Sequence, residues 1–315
     1  MLAVVAPGQG SQTPGFLTPW FEFFDAQGSF SAELVAGWSQ RAGLDLRHLG
    51  ADADADEIRD TAKAQPLLVL GGLTGAGALF AGDTSAISLV AGHSVGEITA
   101  AAFASVINPD DAISLVAARG REMAEAAQLS DTGMSAVLGG DREVVVAHLL
   151  SLGLTPANEN GAGQIVAAGS VAALAALAEN PPEGSRVRSL AVSGAFHTSV
   201  MAPAVSVLAD LASQLTVHDP AIQILSNKDG AVVSDGRDVL DRIVGQIAGP
   251  VRWDLCMQTM ADLGVTGVIE MPPAGTLVGL IKRAQPQIET FALKSPEDLD
   301  AAREFVARHG VKVGG

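Results

Sequence analysis

The sequence predicts an α/β protein: a mostly parallel sheet covered by helices on both faces, with a small βαββαβ unit inserted. Three observations predict it. Apolar runs at 2–6 (LAVVA), 86–91 (AISLVA) and 265–270 (VTGVIE) lack polar alternation, as strands buried on both faces do. Helical patterns separate these runs, and strands alternating with helices imply parallel pairing. The stretch 129–194 then changes to short extended segments in the order βαββαβ, the ferredoxin-like signature. The 315 residues, 48% hydrophobic and 17% charged, suffice for about two domains and exclude intrinsic disorder.

Taken in order, strand 2–6 runs straight into Gly8-Gln9-Gly10-Ser11-Gln12. A helix is expected over 66–81, a buried strand over 86–91 ending at Gly92, and a helix over 95–106. Another helix, 109–127, is opened by Asn108 as N-cap with Pro109 behind it. The inserted unit reads as strand 134–139, helix 141–152, extended segments 154–158 and 164–169, helix 171–179 and alternating strand 186–193. Helix 198–214, strand 222–226, helices 238–247 and 251–263, strand 265–270, helix 274–284 and strand 288–293 complete the pattern. The expected division is a large α/β domain of residues 1–128 and 195–315, and a small domain of 129–194.

Charge narrows the function. Lys and Arg total 19 against 35 Asp and Glu, a net charge of −16, which excludes a binder of nucleic-acid phosphates. With no Tyr and three Trp, the chain has few platforms for stacking bases. The single cysteine, Cys256, makes neither an internal disulfide nor a Cys-based zinc site and fits a reducing cytoplasm. The N-terminus has no positive n-region, and its apolar run stops at Pro7, so no signal peptide is expected. The uncharged stretch 64–82 contains Gln65, Pro66 and several glycines. It reads as a buried helix rather than a membrane span.

Gly92-His93-Ser94-Val95-Gly96 matches G-x-S-x-G, the nucleophile elbow of α/β-hydrolase-like sheets. A strand ends, the chain turns sharply, and a helix begins at once. That exposes Ser94 at the carboxyl end of the sheet and aims the Val95 N–H and the helix N-terminus at any oxyanion formed there. In a Gly-rich chain the five-residue pattern alone arises by chance, and its flanking strand and helix give it weight. Ser94 needs a base. His48 and His148 lie in surface helical patterns, His218 in a polar turn, and His93 beside the nucleophile, where adjacent side chains point apart. His309 stands late in the chain, where a typical hydrolase carries its histidine. His197 follows a strand and precedes a helix, on a loop where a catalytic base belongs.

Together these residues resemble the malonyl-CoA:acyl carrier protein transacylases of fatty acid and polyketide synthesis. The resemblance rests on Gly8-Gln9-Gly10-Ser11-Gln12, Gln65-Pro66, Gly92-His93-Ser94-Val95-Gly96-Glu97, Arg119-Gly120, Asn158-Glu159-Asn160, Gly194-Ala195-Phe196-His197 and Pro250-Val251-Arg252-Trp253, in family order from Pro7 to about Lys294. It implies Ser94 as nucleophile and His197 as base, with a backbone carbonyl and Gln246 orienting the histidine in place of an Asp. Gln9 and the Val95 amide would form the oxyanion hole. Arg119 would grip the free malonyl carboxylate; on its own it reads as a solvated helix residue like Arg121. Gln65 and Asn160 resemble pocket-lining positions, although a turn or cap role for Asn160 is as good a reading. In related domains a Phe before the catalytic His accompanies malonyl use, and Phe196 would crowd an α-methyl branch. The family's Gly-Pro-Gly turn is replaced here by Glu270-Met271-Pro272-Pro273-Ala274-Gly275.

The implied substrate is malonyl-CoA and the implied partner a holo acyl carrier protein. No cofactor, metal, nucleic acid or membrane is expected, and the compartment is the cytoplasm. Carrier proteins of this pathway are acidic. Docking on a chain of −16 therefore calls for local cations, with Arg186 and Arg188 or Lys282 and Arg283 as the candidates. Two other classes remain open: a serine thioesterase or lipase, which needs an acid partner for its histidine, and a catalytically silent docking domain.

Overall fold

A computed structural model describes residues 1–27, 32–192 and 194–310. The helices α1 (Thr18–Gln27), α2 (Ala32–Ala42) and α3 (Leu46–Ala51) separate strand β1 (Leu2–Ala6) from the long helix α4 (Thr61–Phe80). Strand β2 (Leu89–Gly92) follows, then α5 (Gly96–Phe103) and α6 (Pro109–Ala127). The middle of the chain runs β3 (Thr132–Gly139), α7 (Arg142–Ser151), β4 (Thr155–Gly161), β5 (Gln164–Ser170), α8 (Val171–Glu179) and β6 (Ser185–Ser189). Then come α9 (Ala202–Ser213), β7 (Gln223–Leu225), β8 (Val232–Val233), α10 (Gly236–Gly245) and β9 (Val251–Arg252). The chain closes with α11 (Trp253–Asp262), β10 (Gly267–Glu270), α12 (Thr276–Ala284), β11 (Glu289–Ala292) and α13 (Leu299–His309).

The strands form two sheets, a six-stranded one in the order β11-β10-β1-β2-β7-β8 and a five-stranded one in the order β6-β3-β5-β4-β9. All neighbours in the first are parallel except β7 and β8. Its central strands are buried on both faces, as their unbroken apolar runs predict. Leu2, Val4 and Val90 enter one core, while Ala3, Val5, Leu89 and Ala91 enter the other. In the second sheet β3 pairs antiparallel with both β5 and β6, and β4 antiparallel with β5. Val145 and Leu149 of α7 and Leu174 and Leu177 of α8 pack on Val137 and Ile165 of that sheet.

Differences from the sequence reading have local causes. Helix α4 starts five residues before Pro66, because Asp60 caps it through the Ala62 N–H at 2.9 Å. Strand β2 starts at Leu89, since Ile87 N–H closes a turn on the Thr84 carbonyl at 2.9 Å. The predicted strand 186–193 runs over Ser185–Ser189, and Ser193 lies outside the described residues. The two-residue strand β9, from outside 129–194, joins the second sheet beside β4, with Asn158 opposite Val251. At the substituted turn, Pro272–Pro273 is cis, and the Glu270 carboxylate accepts the N–H groups of Gly275, Leu277 and Val278 at 2.9–3.0 Å, capping α12.

Among the described residues no helix is long and apolar enough to cross a membrane, and no group of three or more His, Cys, Asp or Glu could hold a metal ion.

Candidate active site

The turn from β2 into α5 delivers Ser94 at the carboxyl end of the parallel sheet. Ser94 sits at φ +53°, a left-handed conformation that L residues adopt at a cost of about 1–2 kcal/mol. Two glycines make the turn possible. A Cβ on Gly92 would lie 1.9 Å from the Gly96 carbonyl carbon, and one on Gly96 would lie 2.2 Å from the Ala6 carbonyl oxygen. Helix α5 can thus start against β1 without a side chain between them.

Ser94 Oγ lies 2.8 Å from Nε2 of His197, and His197 Nδ1 lies 2.8 Å from the Gln246 backbone carbonyl. A carbonyl only accepts, so Nδ1 carries the hydrogen and Nε2 is left free to take the Ser94 proton. His197 is buried and, like Ser94, held at positive φ (+62°), its N–H bound to the Ile247 carbonyl at 3.2 Å. Burial pushes the imidazole down to about 3, helped by the Arg119 charge and opposed by the Gln246 carbonyl. The ring is therefore neutral, a base rather than a cation.

A stability consequence follows from that direction. Between its ordinary value of 6.5 and the depressed one, the unfolded chain holds a proton that the fold refuses. Stability from this group is full above 6.5 and drains as pH falls below it. Activity should follow the folded value. We expect kcat/KM for acylation of Ser94, which reports the free enzyme, to hold its rate down to about pH 5. Rapid-mixing mass measurement across pH checks this, and an acid limb at 6.5 or higher would mean a solvated imidazole.

Arg119 projects from α6 and is 1% exposed. Its Nη1 donates to Gln65 Oε1 at 2.6 Å, and its Nη2 to Gln246 Oε1 at 3.2 Å and Ser94 Oγ at 3.3 Å. Its Nε is buried without a hydrogen-bond partner. Burial lowers the guanidinium to about 10, which leaves it charged at neutral pH. This is a desolvated cation with donors to spare beside the Ser94 hydroxyl, chemically suited to receive an anionic group.

The amide of Ser94 is taken by Asn227 Oδ1 at 2.8 Å. Among the described residues, no protein acceptor takes the backbone N–H of Val95 or Gln9. Both residues border a cleft of about 360 Å³ that reaches Ser94, His197 and Arg119. Gln9 uses its side chain elsewhere, donating to Thr61 Oγ1 at 3.1 Å, so only its backbone remains for an oxyanion.

The cleft brings together all nine residues singled out in the sequence except Gln246, which is buried just behind Arg119. Four assignments change in detail. Gln246 orients His197 through its own backbone carbonyl, while its side chain serves Arg119, Glu97 and Asn227. Gln65 supports Arg119 as well as lining the cleft. Asn160 bonds His93 Nε2 at 2.9 Å, and His93, packed edge-on to Trp253, is the support of that amide. His309 lies with Thr266 and Glu289 at the amino end of β10, away from Ser94.

Sequence reasoning missed two residues. Glu97 enters the sequence argument only within its motif, and Asn227 does not enter it. A polar residue just past β7, at the carboxyl end of a parallel strand beside β2, was the available signal for Asn227.

A serine bonded to a neutral histidine, beside the unpaired N–H groups of Val95 at a helix start and of Gln9 in the loop after β1, defines an enzyme that moves acyl groups through a covalent serine ester. The chain belongs to the acyl transferase domain family, whose model matches residues 4–301. It is 50% identical over 305 residues to the malonyl CoA-acyl carrier protein transacylase of Mycobacterium tuberculosis H37Rv, covering 95% of this chain and 98% of that protein. Its likeness to the transacylase of Escherichia coli K12 is 33% over 315 residues, covering 96% and 99%. The crystal structure of MCAT from M. tuberculosis superposes with a TM-score of 0.90 at 48% identity, covering 96% of this chain and 99% of that one. A type II PKS acyl-carrier protein in complex with its malonyl-transacylase offers a further match, at TM-score 0.88, 29% identity and coverage of 96% and 99%.

Proposed function

We propose that the chain takes a malonyl group from malonyl-CoA onto Ser94 and passes it to the phosphopantetheine thiol of an acyl carrier protein of fatty acid or polyketide synthesis. It is an [acyl-carrier-protein] S-malonyltransferase. The observation that carries this reading is Arg119, a buried guanidinium 3.3 Å from the nucleophile with an unpartnered Nε. The serine and histidine suit any acyl ester, but the cation suits an acyl group that ends in a carboxylate. The transacylase relatives give the same substrate and acceptor.

In the first half-reaction His197 Nε2 takes the Ser94 proton as Oγ attacks the thioester carbonyl. The oxyanion is received by the backbone N–H groups of Val95 and Gln9. Collapse expels coenzyme A, whose sulfur takes the proton from His197. The second half-reaction reverses these steps with the carrier-protein thiol as nucleophile. Phe196 walls the cleft and crowds an α-methyl branch, a contact worth about 1–3 kcal/mol against methylmalonyl. The His197 Nδ1 partner is a carbonyl, not the carboxylate a serine hydrolase would place there. The reading needs no cofactor beyond the thioester substrate, and malonyl-CoA use fits a cytoplasmic enzyme. The test is the intact mass of the protein after incubation with malonyl-CoA, which should rise by one malonyl group and fall back on addition of holo carrier protein.

The first sheet with its elbow supports an α/β-hydrolase-like large domain. The order β6-β3-β5-β4 with α7 and α8 on one face supports a ferredoxin-like small domain over 129–194. Carrier-protein docking uses the mouth of the cleft, where Arg283 of α12 stands exposed. Arg186 and Arg188 lie exposed on β6 but do not line the cleft. Reversing Lys282 and Arg283 to Glu should raise the KM for carrier protein several-fold and flatten its salt dependence, with Ser94 acylation by malonyl-CoA nearly unchanged. Unchanged carrier kinetics across ionic strength would remove this pair from docking.

A further inference from the structure

We propose that Glu97 is a positioning residue for recognition of the acyl carboxylate, acting through the Gln246 side-chain amide to hold the Arg119 guanidinium in place. The proposal rests on the malonyl-transfer reading above. Glu97 is 2% exposed, in the first turn of α5. A carboxylate there would ordinarily face water and favour the helix start. Instead Oε1 accepts the Asn227 N–H at 2.6 Å, and Oε2 accepts from Gln246 Nε2.

Hydrogen-bond polarity fixes this arrangement. A side-chain amide has a donor end and an acceptor end, and Gln246 is buried with both ends engaged. Arg119 can only donate, so it requires the oxygen of Gln246, which it meets at 3.2 Å. The nitrogen must then find acceptors on the opposite side. Two are present, Glu97 Oε2 and Asn227 Oδ1, the latter at 3.0 Å. Asn227 is itself locked, donating from Nδ2 to the Gly92 carbonyl at 2.8 Å and accepting the Ser94 N–H at 2.8 Å. Were the amide to flip, its N–H groups would face the guanidinium, donor against donor, in a site where water does not compensate. Burial pushes the Glu97 carboxyl up to about 8, opposed by the Asn227 N–H and by the Arg119 charge across the Gln246 bridge, so the form that accepts at both oxygens is full above that pH. The guanidinium is thereby held with its Nε unspent for substrate.

The test uses Glu97→Gln. Its amide oxygen keeps the Asn227 N–H, which turns its nitrogen toward Gln246 Nε2 and breaks the polarity of the chain. Loading of Ser94 is measured at about pH 9, above the raised Glu97 value, by intact mass from malonyl-CoA and from acetyl-CoA, beside thermal unfolding. The expected result is a loss of malonyl kcat/KM by about ten- to a hundredfold, the range for one buried hydrogen bond to a charged group, with acetyl loading changed by less than about threefold. In a double-mutant cycle with Gln246→Met, the pair should lose little more malonyl selectivity than either single variant. Should Glu97→Gln not fold, Glu97→Asp withdraws the carboxylate by one methylene and should show the same selective loss in smaller degree. Equal loss for both thioesters would make Glu97 a structural support of the elbow, and additive losses would separate it from Gln246. Either result overturns the proposal, as does an unchanged selectivity. If the wild-type protein itself takes no malonyl group on Ser94, it is the transfer reading that falls.

Discussion

Ser94→Ala should take up no malonyl group from malonyl-CoA, while the wild-type chain takes up one. The substitution removes a single oxygen from a residue already in the left-handed region, where Ala is no worse than Ser, so the fold should persist. It removes the atom bound at 2.8 Å by His197. Cys256, the single thiol, is fully buried behind the sheet, and burial pushes its pKa up, far from a thiolate. Loss of the nucleophile in serine enzymes costs on the order of a millionfold in kcat, which places residual transfer at background. An adduct that persists in Ser94→Ala, or that maps to Cys256 by peptide mass, would overturn the mechanism.

Arg119→Ala should lose malonyl transfer by roughly a hundredfold or more, and acetyl transfer much less. The estimate comes from leaving a carboxylate unpaired in a closed site, a cost of about 3 kcal/mol or more, with each 1.36 kcal/mol worth tenfold. The truncation also frees Gln65 Oε1 and Gln246 Oε1, two buried acceptors with no substitute donor among the described residues. That share of the cost falls on folding and should appear as a lower Tm. Acetyl transfer retains Ser94, His197 and the oxyanion donors, losing only the 3.3 Å contact between Arg119 and Ser94. The ratio of kcat/KM for the two thioesters is the measurement, and equal losses would make Arg119 structural.

Much of this site was legible in the sequence because its parts have local signatures. Helix α6 begins and ends where Asn108, Pro109 and the apolar period place it. The elbow is read from five consecutive residues, since the steric demand of the turn falls on Gly92 and Gly96 themselves. The βαββαβ order is read from alternating segments, each short enough to be a strand. What was not legible is contact between distant elements. Nothing near Arg119 in the chain announces that Gln65 of α4 and Gln246 beyond α10 meet it. By local pattern it belongs with Arg121, yet α4 packs over it and leaves it dry. Gln246 was read as an aid to His197, and the part that acts on the ring is its backbone, which has no side-chain signature. Glu97 carries no local sign of its burial, because its partners Asn227 and Gln246 lie beyond β7 and α10, more than a hundred residues away.

The cleft has two owners. Gln9, Gln65, Ser94, Val95 and Arg119 come from the unit built on the parallel sheet, whereas Met134, Asn158, Asn160, Gln164 and Val166 come from the antiparallel one. The groups that break and make the ester therefore lie on a different scaffold from much of the wall facing the rest of the substrate. Substitutions in the antiparallel sheet can therefore reshape that wall while Ser94 and Arg119, on the other scaffold, keep their places.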